Sequence, residues 1–112
     1  MSLRTQRVAE ELKHKLNSVM AKDLSELSIG LVTITNVMVS PDLKTAKIYV
    51  TFIGNKEPVD KCVDKLNERK RHIRFLLAKI ISLKYTPDII FYYDDTYEYA
   101  DRIQKLLNDL KG

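Results

Sequence analysis

Four cations stand out among the side chains able to do chemistry in this 112-residue sequence: Arg69, Lys70, Arg71 and Arg74. They open a block, Arg69 to Lys84, that holds six basic residues and no acid. Groups of this kind bind phosphate, the guanidinium through two parallel N–H···O bonds. The surrounding stretch, Lys44 to Lys84, carries eleven basic residues against four acidic ones, a net +7. From Asp88 onward the balance reverses, with six acids against three bases, a net −3. Segregated charge gives a molecule one positive side, the footprint of a polyanion binder. Lysine and arginine also solvate ordinary helix faces, so the elements that carry these residues decide what they do.

Other chemistry is scarce. His14 and His72 lie 58 residues apart, with no Cys or carboxylate at metal-ligand spacing beside either. Cys62 falls on an apolar helical stripe and reads as a small core residue. None of GxSxG, HExxH, GxGxxG or the phosphate-loop motif is present. Asp94, Asp95, Glu98 and Asp101 form an acidic cluster, but Asp95-x-x-Glu98 is the spacing of a helix start, where carboxylates meet free backbone N–H groups. Tyr49 and Tyr92 have two readings, stacking on bases from an open sheet face or packing on each other across strands. With no nucleophile, base and oxyanion donor in one constellation, the expectation is no enzyme, no catalytic residue, no metal, no cofactor and no small-molecule substrate.

The positioning elements follow from periodicity. Apolar residues at Val8, Leu12, Leu16 and Val19/Met20 predict an amphipathic helix over 4–21, and Asp23 to Gly30 reads as a polar connector. Leu31–Val39 and Thr45–Phe52 are rich in β-branched residues and flank Ser40-Pro41-Asp42-Leu43-Lys44, predicting an antiparallel hairpin with a five-residue loop. In the second strand Ala46, Ile48, Val50 and Phe52 share one face. Thr45, Lys47, Tyr49 and Thr51 share the other, which meets solvent. Pro58 suits a helix start, and an apolar stripe then runs from Val59 to about Lys84. Unbroken, that stretch would reach about 40 Å, too long for a compact domain with a radius of gyration of about 13 Å. The stripe falters at Asn67-Glu68-Arg69-Lys70-Arg71, predicting two helices meeting at a kink. At such a joint the second helix turns N–H groups and its positive dipole end outward, favourable to phosphate. After Pro87 come a third strand, Asp88–Tyr93, and a last helix, Tyr97–Leu110.

The order, α-β-β-α-kink-α-β-α, predicts an α+β layer, a three-stranded sheet covered by helices. Composition agrees with one domain over 1–112: 45% of residues are hydrophobic and 30% charged, and a single Cys forms no disulfide framework. No apolar run approaches the ~20 residues that cross a bilayer, and the N-terminus lacks the pattern of a signal or transit peptide. The expectation is a cytoplasmic protein without a membrane segment.

The sequence resembles the bacterial ribosome-binding factor A family along nearly its whole length. The likeness rests on Arg4-x-x-Arg7-Val8-Ala9 and on the hairpin signature Val37-x-Val39-Ser40-x-Asp42-Leu43-x-x-Ala46-Lys47-x-Tyr49-Val50. It continues in Ile73-Arg74, Leu83-Lys84, Pro87-Asp88-Ile89-Ile90-Phe91 and Asp94. The resemblance implies a type II KH-like domain without the usual Gly-x-x-Gly loop, and binding to the small ribosomal subunit. It also implies a role in maturing that subunit's rRNA, including 5′-end processing, often tied to growth in the cold. Where the family carries Ala-x-Gly at the helix kink, this chain has Arg69-Lys70-Arg71. The family's Asp-Pro-Arg before the first strand is Glu26-Leu27-Ser28 here, which loses a cation. The chain also ends soon after its last helix, so roles of longer tails do not transfer.

Together these readings predict a monomeric RNA-binding assembly factor. Its contacts are Arg4 and Arg7 of the first helix, Lys44 and Lys47 of the hairpin, and Arg69, Lys70, Arg71 and Arg74 of the kink. Phosphate contacts position it, and RNA shape supplies selectivity. The alternative is a protein-interaction module that docks a partner through its sheet edge or its acidic last helix.

Overall fold

The hairpin predicted from β-branched residues forms: β1 (Leu31–Val39) pairs antiparallel with β2 (Thr45–Ile53). The computed structural model describes residues 2–23 and 28–111, by backbone alone at 22, 23, 97–101 and 111. Gly30 leads into β1 at φ +75°, and a Cβ there would stand 2.3 Å from the Ile53 carbonyl oxygen, so only glycine fits. The pairing is not regular throughout. Register shifts between Ile34 and Asn36, leaving Thr35 as an extra residue. The bulge explains why Ile34 and Val37, three apart, are both buried.

Ahead of the hairpin, α1 (Leu3–Asp23) is capped by Ser2, whose hydroxyl oxygen accepts the Thr5 N–H at 3.2 Å. Its predicted stripe, Val8 through Met20, is buried against β1 and the second half of the long helical stretch. That stretch is broken as expected, into α2 (Val59–Glu68) and α3 (Lys70–Ala78). Arg69 is the break, with φ −93° and ψ −3°. The two helices carry the chain over to β3 (Asp88–Tyr93), which pairs parallel with β2, giving sheet order β1-β2-β3. Leu66, Ile73 and Leu77 pack on the sheet face formed by Ile48, Val50 and Phe91, and all six are fully buried. This is the α+β, KH-like arrangement, a mixed three-stranded sheet with helices on one face.

Two boundaries differ from expectation. Helix α3 ends at Ala78 rather than near Lys84, although apolar residues continue at Ile80 and Ile81. Glu11 of α1 draws the chain out of the helical path: its carboxylate accepts the Ser82 N–H at 2.9 Å and the Ser82 hydroxyl at 2.8 Å. Residues 81–87 therefore run as a loop across the end of α1. The last helix, α4 (Thr96–Lys111), begins one residue before the predicted Tyr97. Asp94 Oδ1 accepts the Thr96 N–H at 3.0 Å, and its other oxygen accepts the hydroxyl of the bulged Thr35. Both contacts hold its carboxyl below the usual range, the Thr35 hydroxyl most of all. Helix α4 extends from the layer with Ile103, Leu106, Leu107 and Leu110 exposed. The radius of gyration, 15.9 Å, exceeds that of a compact chain of this length accordingly.

Candidate nucleic-acid interface

The break at Arg69 sets the direction of α3, and no side chain caps its first turn. Lys70 and Arg74, four apart, share one helix face, as do Arg71 and Phe75. Opposite them lies the entry to β3. Arg74 joins the two: its Nη2 donates to the Thr86 carbonyl at 2.7 Å and its Nε to the Pro87 carbonyl at 3.2 Å. The same Nε lies 3.4 Å from the Asp88 carboxylate. Asp88 in turn donates its N–H to the Lys44 carbonyl at 2.9 Å, fixing β3 to the hairpin turn.

That turn is shaped by its own sequence. Ser40 Oγ donates to Asp42 at 2.6 Å and accepts the Thr45 N–H at 3.1 Å, while Asp42 also accepts the Lys44 N–H. The Ser40 hydroxyl is the main cause holding the Asp42 carboxyl below its ordinary range. Leu43 takes a left-handed φ of +62°, and its side chain packs on the core while Lys44 stays exposed.

Two grooves result. The first, about 690 Å³, runs between α3 and β3 and is lined by Lys70, Arg71, Arg74, Phe75 and Ile90. The second, about 510 Å³, lies between the start of α1, the hairpin turn and residues 83–86, and Arg4, Lys44, Lys84 and Tyr85 line it. They adjoin at Arg74, Thr86 and Asp88, which line both. Positive charge from α1, the turn, α3 and the following loop thus converges around the entry to β3.

Of the eight cations predicted as contacts, five meet in these grooves: Arg4, Lys44, Lys70, Arg71 and Arg74. Three do not. Lys47 projects from the other face of the sheet, opposite Met38 and Ile90 in register. Arg7 is exposed on α1 and lines neither groove, and Arg69 supplies the break itself. Lys84, Tyr85 and Phe75 line the grooves without being among the predicted contacts. The sequence signal is spacing, Lys79 four residues after Phe75 and Lys84 next to Tyr85; in the structure Lys79 Nζ stands 4.4 Å from the Phe75 centroid and Lys84 Nζ 5.6 Å from that of Tyr85. Of the two readings of Tyr49 and Tyr92, cross-strand packing is the one seen, with centroids 5.7 Å apart. Glu26 and Leu27, two of the three residues replacing the family's Asp-Pro-Arg, lie outside the described residues. Among the described residues, no group of His, Cys, Asp and Glu is placed to hold a metal ion, and no helix is long and apolar enough to cross a membrane.

Comparison with known proteins bears on this site. The family model for ribosome-binding factor A matches residues 4–107. The chain belongs to the ribosome-binding factor A family. It is 39% identical over 109 residues to ribosome-binding factor A of Vibrio campbellii, covering 96% of this chain and 80% of that protein. The solution structure of a putative ribosome-binding factor A from Thermotoga maritima superposes with a TM-score of 0.65 at 28% identity, over 82% of this chain and 88% of that one. A Thermus thermophilus ribosome-binding factor A, fitted as a homology model into the cryo-EM map of a 30S complex, shares the fold. Its TM-score is 0.62 at 21% identity, over 77% of this chain and 90% of that one.

Proposed function

We propose that this member of the ribosome-binding factor A family acts on the small ribosomal subunit by binding its rRNA, with residues 1–112 serving as one RNA-binding domain, monomeric and cytoplasmic. Holding the RNA in one arrangement supports its maturation, including 5′-end processing, and growth in the cold. The protein acts by binding alone. The observation that carries this reading is convergence: Arg4, Lys44, Lys70, Arg71 and Lys84 come from separate segments and line adjoining grooves about Arg74. The Thermus relative fitted into a 30S complex supports the choice of partner. Phosphates seated along such a groove position the RNA, and its shape selects the site.

Sedimentation with isolated small subunits tests the reading. If about four phosphates are neutralised, binding weakens more than tenfold between roughly 50 and 200 mM salt. A flat salt response overturns it.

The row Ile103, Leu106, Leu107 and Leu110 on α4 favours a second reading, a surface that docks a partner protein. Nuclease treatment separates the two, since partners retained after RNA is digested belong to the protein-docking reading.

A further inference from the structure

The second groove is built differently from a surface that binds phosphate alone. Arg4, Lys44 and Lys84 supply charge at its rim, but Leu43 and Leu83, both packed on the core, give it an apolar floor. Beside that floor Tyr85 is 76% exposed, with the Lys84 ammonium over its ring. Two acids also line the groove, and both are engaged: Asp42 with the Ser40 hydroxyl and the Lys44 N–H, Asp88 with Arg74. The hairpin turn holds Leu43 in a left-handed conformation that a branched side chain rarely adopts. Phosphate needs none of this apolar construction. A flat, exposed aromatic ring beside cations is what an unpaired base uses, through its π-face. A base inside a duplex has no such face to offer, because its neighbours already cover it.

We propose that the groove between Arg4, Lys44 and Tyr85 takes one unpaired nucleobase, stacked on the Tyr85 ring, with its flanking phosphates on Arg4, Lys44 and Lys84. This rests on the RNA-binding reading above and adds to it a subsite for a base outside the duplex.

The test compares a single-stranded oligoadenylate decamer with a ten-base-pair RNA duplex, each titrated into the full chain and into Y85F, Y85A and K44A. Tyr85 is exposed, so the melting temperature should hold in all Tyr85 variants. Y85F keeps the ring and should bind the single strand within about twofold of the parent, whereas Y85A should lose about tenfold. The salt slope of Y85A should be unchanged, because no phosphate contact is lost, and its duplex affinity should match the parent's. K44A should lower the single-strand salt slope by about 0.7. Unchanged single-strand affinity in Y85A, or an equal loss for strand and duplex, overturns the base subsite while leaving RNA binding intact. Failure of the unaltered protein to bind either RNA overturns the RNA reading and this subsite with it.

Discussion

Asn67 on α2 closes the outer edge of β3 by pairing its carboxamide with the backbone of Phe91. Nδ2 donates to the Phe91 carbonyl at 3.0 Å, and Oδ1 accepts the Phe91 N–H at 2.8 Å. The side chain imitates a neighbouring strand at the middle of β3, whose outer side has no strand beside it. An open edge would otherwise present these groups to another chain.

Replacing Asn67 with Ala removes both bonds and leaves half-buried backbone groups without partners. The expected loss is about 1–3 kcal/mol, a fall in melting temperature of roughly 5–15 °C. N67D should fare no better, since a carboxylate accepts from the N–H but faces the carbonyl with an oxygen. Thermal melts of the two variants measure this.

Stability should fall in acid through Glu11. The Ser82 N–H first, and then the Ser82 hydroxyl, hold its carboxyl below the ordinary value, about 4.3 in an unfolded chain. A depressed folded pKa contributes stability that is present above the unfolded value and is lost as pH falls through the folded one. Asp94, lowered mainly by Thr35, adds in the same direction. Melts from pH 7 down to about 3 should show the decline beginning near pH 5, and E11Q should make it shallower. An E11Q profile parallel to the parent's removes the assignment.

The cations divide by what they hold. Changing Lys70 and Arg71 together to Ala should reduce the salt slope of RNA binding by about 1.4, with unchanged circular dichroism. R74A should weaken binding and also destabilise the fold by about 1–2 kcal/mol, since it frees the Thr86 and Pro87 carbonyls, an effect moderated by the side chain's partial exposure. K47A should leave binding within about twofold. A K47A defect as large as that of the double variant would move the interface to the other face of the sheet.

Much of this architecture is legible in residue order. The hairpin follows from β-branched alternation around Ser40–Lys44, and the break at Arg69 from five polar residues in a row. What escapes is set by distant partners. Nothing local to Ile80 and Ile81 ends α3, because the group that diverts the chain is Glu11, 71 residues earlier. Asn67 reads only as part of the polar run until β3 is beside it. The bulge at Thr35 escapes in the same way, since the partner of its hydroxyl is Asp94, which the sequence places beyond the third strand. At the site, the charge block located α3, whereas Arg74's hydrogen bonds and the ring of Tyr85 emerge only once the loop after α3 is placed.

Because β3 joins β2 in parallel, the chain must travel through both helices before its last strand can enter the sheet. One wall of the larger groove is that strand, and Asp88 is tied to the turn at Lys44. During synthesis, which proceeds at about 5–20 residues per second, a nascent chain completes its positive block at Lys84 about 0.5–2 s before Tyr93 ends the strand that walls the groove. Grip arrives late, when residues 88–93 emerge and dock, so a polypeptide still short of that point is charged but has no groove.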